Sequence, residues 1–190
     1  MTQATLQTDR IKLVPLSDEH LELEVRLDAD PEVMRYLTGQ GRTRAQVMAA
    51  HELRLATAES VAGLGFWVGF VDEQFVGWWL LEPPGWIDHQ PVEGQAELGY
   101  RLLRSYWRQG LASEGCRELL RHAFEDLGLH RVSAQTMTVN TASRATMASV
   151  GLELTRTFDD DDADEGLAGS ELGGVEYAIT RDEWRAANPG

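Results

Sequence analysis

Residues 96–139 set a strongly two-faced helix between two strand-like runs. AELGYRLLR (96–104) and HRVSAQTMTV (130–139) read as strands. Between them Ala112, Cys116, Leu119, Ala123, Phe124 and Leu127 fall on one helical face, and Glu114, Arg117, Glu118, Arg121 and Glu125 on the other. The spacing predicts a helix over 111–127, closed by Gly128. A helix with so clear an apolar stripe needs a second layer to bury it, which points to a layered α/β (α+β) fold.

The flanking sequence supplies that layer. FWVGFV (66–71) and FVGWWLLE (75–82) are β-rich and read as a hairpin, and PPGWIDHQPVEGQ reads as a loop. Before them come a strand at 9–15, a helix capped by Ser17 and running to about Ala29, a helix at DPEVMRYL with Asp30 as cap and Pro31 at its first position, and a helix from Thr43 to about Ala58. After them come a short helix capped by Asn140 and ended by Gly151, then strands near 152–158 and 174–180. The 190 residues are expected to form one domain, 1–190, whose 43% apolar content suffices for a core.

Bulk properties exclude several classes. The formal charge of −14 argues against nucleic acid as a partner. MTQATLQTDRIKL lacks the apolar core of a signal peptide, and no run reaches membrane-spanning length, so the sequence reads as cytoplasmic with no membrane partner. Cys116 is the single cysteine, which rules out an internal disulfide, and the five histidines lack ligand spacing, so no metal site is expected. Cys116 itself falls on the apolar face of its helix and reads as core. Trp78 and Trp79 point to opposite sheet faces, one for the core and one free to wall a pocket; Trp67 and Trp86 offer the same two roles.

The turn that opens the two-faced helix carries the chemistry. In SYWRQGLASEG (105–115), Gly110 and Ala112 leave the helix N-terminus open, and Arg104 and Arg108 add positive charge. Exposed N–H groups and about half a positive charge make such a terminus an anion cradle. Neither the GK[ST] ending of a P-loop nor GxGxxG is present, so mononucleotide and dinucleotide sites of those types are disfavoured. An ordinary tight connection remains the alternative.

WRQGLA (107–112) resembles the Q/R-x-x-G-x-G/A signature of the GNAT superfamily of N-acetyltransferases, with Trp107 at the usual Gln or Arg position. That departure is similar to the branch of ribosomal-protein N-terminal acetyltransferases and their small-molecule relatives. Nearly the whole chain follows the pattern: LQTDRIKLVPLSDEHLE and DADPEVMRYL resemble the branch's opening, AELGYRLLRSYWRQGLASEG its cofactor motif, GLHRVSAQTMTVNTASRATMASVGL the strand and helix after it, and GVEYAITRDEW its last strand.

The resemblance implies a mixed, mostly antiparallel sheet of about seven strands that splays after the fourth, flanked by helices, and acetyl-CoA as cosubstrate without a metal. Leu102, Leu103 and Arg104 would hold the pantetheine arm through backbone atoms. Arg108, Gln109, Gly110, Leu111, Ala112 and Ser113 would hold the pyrophosphate. Asn140 and Ser143 match the N-x-x-S pattern beside the cofactor, where both also suit helix capping. Glu97 is the candidate general base; its other reading is a structural carboxylate holding Arg101 or a neighbouring strand. The tyrosine many family members use as acid falls at Met147, which cannot donate a proton, and Ser143 is the substitute. The expected reaction is direct attack of a primary amine, on a protein N-terminus or a small molecule. A non-catalytic acyl-CoA sensor and a plain nucleotide-binding domain are the rivals. Residues 159–165 carry six carboxylates and no base, which suggests a cationic acceptor if they are more than a solvated loop. A homodimer is admitted as an assembly.

Overall fold

The computed structural model describes residues 3–84, 92–159 and 167–189. Eight strands form one sheet: β1 (Leu6–Gln7), β2 (Lys12–Pro15), β3 (Gly65–Val71), β4 (Gln74–Glu82), β5 (Gln95–Leu102), β6 (Arg131–Met137), β7 (Glu153–Phe158) and β8 (Gly174–Thr180). Their order across the sheet is β1-β2-β3-β4-β5-β6-β8-β7. The helices are α1 (Leu21–Asp28), α2 (Arg44–Ser60), α3 (Leu111–Arg121), α4 (Thr141–Ser149) and α5 (Arg181–Ala187).

Every strand pair is antiparallel except β5 and β6. Parallel neighbours need a crossover, and α3 supplies it. Their pairing is brief: Gln95 faces Arg131, Ala96 faces Val132 and Glu97 faces Ser133. Beyond Glu97, β5 stays on β4 as far as the Gly77–Leu102 pair, while β6 follows β8 to the Met137–Gly174 pair. The sheet therefore splays between β5 and β6, with Glu97 and Ser133 at its closed end. Because two-residue β1 adds an edge strand, the sheet has eight strands where about seven were expected, and the splay follows the fifth.

Period-2 alternation sends β5 side chains to two cores. Ala96, Leu98 and Leu102 join Trp79, Leu119, Leu120, Phe124, Val132 and Ile179 in the core that includes α3. Trp78 and Leu80 of β4 join Leu27, Phe66, Val68 and Leu103 in the second core, which includes α1. Gly115 makes the first core possible, since a Cβ there would collide with the Trp79 indole. Trp67 is also wholly buried, and its indole donates to the Ala4 carbonyl at 2.8 Å. Trp86 lies outside the described residues.

Several expected elements take a different form. No helix forms at DPEVMRYL: Asp30 Oδ1 accepts from the Glu32 N–H at 2.9 Å, and the Met34 carbonyl accepts from Leu37, Thr38 and Gly39, closing the segment as consecutive turns. The first of these is the cap bond expected of Asp30, and the Met34 N–H makes one helical bond to the Asp30 carbonyl at 3.1 Å before the turns gather on Met34. The long helix predicted over 111–127 is α-helical only to Arg121 and continues as a π turn over His122–Asp126. There the Leu127 N–H reaches the His122 carbonyl at 3.0 Å, and His122 Nδ1 meets Asp126 at 2.8 Å. The β1–β2 hairpin and α5 lie outside the expected elements. α5 starts with a capping box in which the Thr180 N–H donates to Glu183 at 2.8 Å.

Candidate active site

The turn before α3 has the form an anion cradle needs. Arg108 at φ 59° and Gly110 at φ 79° both occupy the left-handed region, which turns the chain sharply into the helix. Gly110 tolerates that φ without cost, and Arg108 carries mild strain. Among the described residues, the N–H groups of 108–113 donate to no protein acceptor; the first one taken up is that of Glu114, on the Gly110 carbonyl at 3.0 Å. Leu111 is buried, Ala112 and Ser113 are half-buried, and Arg104, Arg108, Gln109 and Gly110 are exposed. Arg104 lies 3.9 Å from Asp30, and the Gln109 side chain donates back to the Ser105 carbonyl.

A groove beside the turn is lined in part by Arg10, Gly110, Ser113, Arg117 and Ser149. Arg10 clamps the β1–β2 hairpin to the cradle: it pairs with Glu114 at 2.5 Å and donates to the Gln109 carbonyl at 3.0 Å. Ser113 and Ser149 share a hydrogen bond of 2.9 Å across the groove, and Arg117 donates to the Ser149 carbonyl. Neither Arg10 nor Arg117 was singled out from sequence. Arg10 comes from 99 residues away from Gln109, and no local pattern announces such a contact.

The splay leaves β5 main-chain groups without a β6 partner. Leu103 is not among them, contrary to its expected role: its N–H donates to the Val76 carbonyl at 2.9 Å and its carbonyl accepts from Tyr106. By antiparallel alternation, Leu98, Tyr100 and Leu102 turn their main-chain groups toward the gap instead. The Leu102 carbonyl also accepts the Trp107 indole N–H at 2.8 Å. An extended amide-bearing chain can enter such a gap as an added strand.

Glu97 stands half-buried at the closed end of the splay. Burial first, then the nearby Glu82 and Glu176 carboxylates, push its pKa up to about 7 against the opposing pull of Arg156. Arg101 pairs with Asp28 at 2.5 Å, so Glu97 is not its partner.

The opposite wall of the gap is α4. Asn140 caps it, its Oδ1 accepting from the Ser143 N–H at 3.2 Å while its Nδ2 donates to Thr136. Ser143 is half-buried, and Met147 is buried in the core. Tyr100, which sequence reasoning passed over, reaches toward the side chains of Thr146 and Ser143; burial raises its pKa, so the phenol keeps its proton. Cys116 is buried in the same core, as expected, and burial raises its thiol.

The face bearing Glu97 also carries a buried charge network. Glu24 binds both His51 and Arg54; Asp28 binds Arg101 and sits 3.5 Å from Arg54. Trp78 lies under both guanidinium groups, 5.2 Å from Arg54 and 4.7 Å from Arg101. Both Trp78 and Trp79 are therefore buried, and the former sits beneath the polar face rather than in open solvent. Among the described residues no helix is long and apolar enough to cross a membrane, and no cluster of three His, Cys, Asp or Glu could hold a metal.

The Acetyltransferase (GNAT) domain profile matches residues 10–153. FsC-acetyl coenzyme A-N(2)-transacetylase of Aspergillus fumigatus is 44% identical over 185 residues, covering 96% of this chain and 78% of the relative. Among solved structures, RimL, a ribosomal-protein α-N-acetyltransferase bound to coenzyme A, aligns at TM-score 0.79 and 16% identity over 95% of this chain and 99% of its own. Spermidine N-acetyltransferase of Vibrio cholerae, bound to coenzyme A and spermine, aligns at TM-score 0.74 and 12% identity over 93% and 99%. At those identities the structures speak for the fold alone. The profile and the 44% identical relative agree with the open helix terminus and the splayed sheet: this chain belongs to the GNAT family and is an acetyltransferase.

Proposed function

We propose that the protein transfers the acetyl group of acetyl-CoA to a primary amine by direct attack in a ternary complex. The observation that carries this reading is the splay itself, with an unpaired helix terminus at one end and a carboxylate of near-neutral pKa at the other. Residues 108–113 hold the pyrophosphate, and the gap beside Tyr100 and Leu102 holds the pantetheine arm. When bound, acetyl-CoA supplies a thioester whose carbonyl carbon accepts the amine and whose sulfur leaves with the bonding pair.

The chain's own residues handle the protons. Glu97 takes one from the incoming ammonium, since only the neutral amine has a lone pair to attack with. Glu97 and Tyr100 differ by an odd number of positions on β5, so they face opposite sides of the sheet. The amine thus enters on the face of α1 and α2, and a proton is returned to sulfur on the α4 side. Ser143 donates it and recovers a proton from the second N–H that the attacking nitrogen gives up as the amide forms, with the Tyr100 hydroxyl in the relay.

For the acceptor, the 44% identical relative favours a small molecule with an amine numbered N(2) over a protein N-terminus or a polyamine. An acetylation screen over amines on a carbon bearing an adjacent carbonyl, polyamines and N-terminal peptides, read by mass spectrometry, tests this. Product with the first class and little with the others is expected. Turnover only with peptides would reverse the acceptor assignment, and no turnover with any acceptor despite acetyl-CoA binding would favour the non-catalytic sensor.

A further inference from the structure

We infer that Glu82 is a positioning residue for the transfer: it stands opposite Glu97 across β4 and β5 at the closed end of the splay, so that the acceptor's proton is taken up by a two-carboxylate pair rather than by a lone acid. This rests on the reading of Glu97 as the base. The two residues are direct partners in the antiparallel ladder. Directly opposed side chains share a face, with Cβ atoms about 4.5–5.5 Å apart. Glu82 is the last residue of β4, and Pro83 and Pro84 follow at once, which ends the ladder there because proline brings no N–H. Both carboxylates are thus held at one end of the gap by main chain, not by flexible loops.

The surrounding charges single out this pair. From β8, Glu176 accepts from Arg131 of β6 at 2.7 Å and from Arg156 of β7 at 3.2 Å. Burial would raise the Glu176 carboxyl, yet hydrogen bonds from Arg131 and Thr155 hold it below the usual range, so it stays anionic. From α2, Arg54 faces Glu82 but is bound to Glu24. On β5, Arg101 is bound to Asp28. Ser133 of β6 is neutral. Among the described residues no lysine or arginine hydrogen-bonds or ion-pairs with Glu82 or Glu97, and the remaining residues of the chain contain neither type. Acids left unpaired on a face where the other charges are matched are a cost that structure alone does not repay.

Opposed carboxylates cannot both ionise freely, so the pair retains a proton to higher pH than either acid would alone. Burial raises Glu82 as it does Glu97, and Glu82 in turn raises Glu97. The ammonium proton moves from the acceptor nitrogen to a Glu97 oxygen, and the nitrogen keeps the electron pair that forms the new C–N bond. Glu82 makes Glu97 basic enough for that step near neutral pH.

The test is Glu82→Gln, which preserves shape, with Glu82→Asp as the conservative control and Glu97→Gln as reference. Carbon-13 titration of the Glu97 carboxyl, assigned by its loss in Glu97→Gln, gives a readout independent of turnover. In Glu82→Gln the Glu97 midpoint is expected to move down from about 7 toward the ordinary glutamate value. The acidic limb of kcat/KM is expected to move the same way, with a lower plateau at pH 9 because a weaker base remains, and Glu82→Asp is expected to restore both in part. A merely structural defect would lower kcat/KM alike at all pH values and leave the limb in place. If Glu97→Gln is slow but Glu82→Gln leaves the titration and the limb unmoved, the inference about Glu82 is overturned and the base stands. If Glu97→Gln keeps the wild-type rate, the base assignment fails, and the role of Glu82 fails with it.

Discussion

Glu97 concentrates the chemistry of single residues. Replacing it with glutamine should lower kcat/KM by roughly 10²–10⁴-fold, the usual worth of a placed base, while the KM for acetyl-CoA holds. Steady-state kinetics with each substrate varied in turn reads this. The same carboxylate predicts a stability signature. Its folded pKa of about 7 is above the unfolded value, so the native state binds the extra proton between those two values and stability falls as pH rises through that window. The full shift is worth on the order of 3 kcal/mol. Glu97→Gln should therefore melt higher than wild type at pH 8 and close to it at pH 5. Equal melting differences at both pH values would mean that Glu97 is not held protonated. Across the gap, the Asn140 cap predicts a loss of about 1 kcal/mol on replacement by alanine, read by denaturant unfolding.

At the scale of elements, α3 performs two tasks at its two faces. Its first turn is open to an anion because Gly110 admits φ 79°, brings no side chain of its own and has the Arg10 guanidinium beside it. Gly110→Asp puts a carboxylate where a phosphate would sit, and should abolish the rise in melting temperature that acetyl-CoA gives the parent protein while leaving the ligand-free protein folded. Its buried face is set by Gly115 against Trp79. Gly115→Ala should cost about 1–3 kcal/mol through overpacking, with the loss carried by stability rather than by acetyl-CoA affinity. The amphipathic spacing of α3 was legible because its apolar stripe follows the helical period directly. The turns at 31–38 were not, since Asp30 followed by Pro31 suits a helix start as well as an Asx turn. For α5 the signal is local, a Thr180–Glu183 capping box three residues apart before a Trp, but it directly abuts the strand it terminates, whose pattern dominates the segment.

For the whole molecule, binding and charge are the measurable consequences. Acetyl-CoA at about 100 times its Kd should stabilise the fold by roughly 2.7 kcal/mol, about 5–11 °C for a chain of this length. No thermal shift at millimolar acetyl-CoA would remove the donor assignment. The net charge of −14 includes the carboxylates at 159–165, of which all but Asp159 lie outside the described residues. If that field steers a cationic acceptor, converting Asp159 to Asp162 into asparagines should lower kcat/KM for a cationic amine and weaken its salt dependence, with acetyl-CoA affinity unchanged. Unaltered kinetics would leave the segment as solvated chain.

The sequence by itself determined what depends on near neighbours: the period of α3, the cap at Asn140, the open glycine turn at 108–113, and the motif order that resembles the GNAT family. Each is a matter of residues within one or two turns of each other. Only the tertiary structure decided which β5 main-chain groups face the gap, that Leu103 is spent on Val76, that Arg10 clamps the cradle, and that Glu82 stands opposite Glu97. Strand register and sheet neighbours arise from packing across the whole sheet, where residues far apart in the chain meet. A carboxylate's proton affinity follows from that same assembly, because burial and opposing charge exist only once the strands are in place.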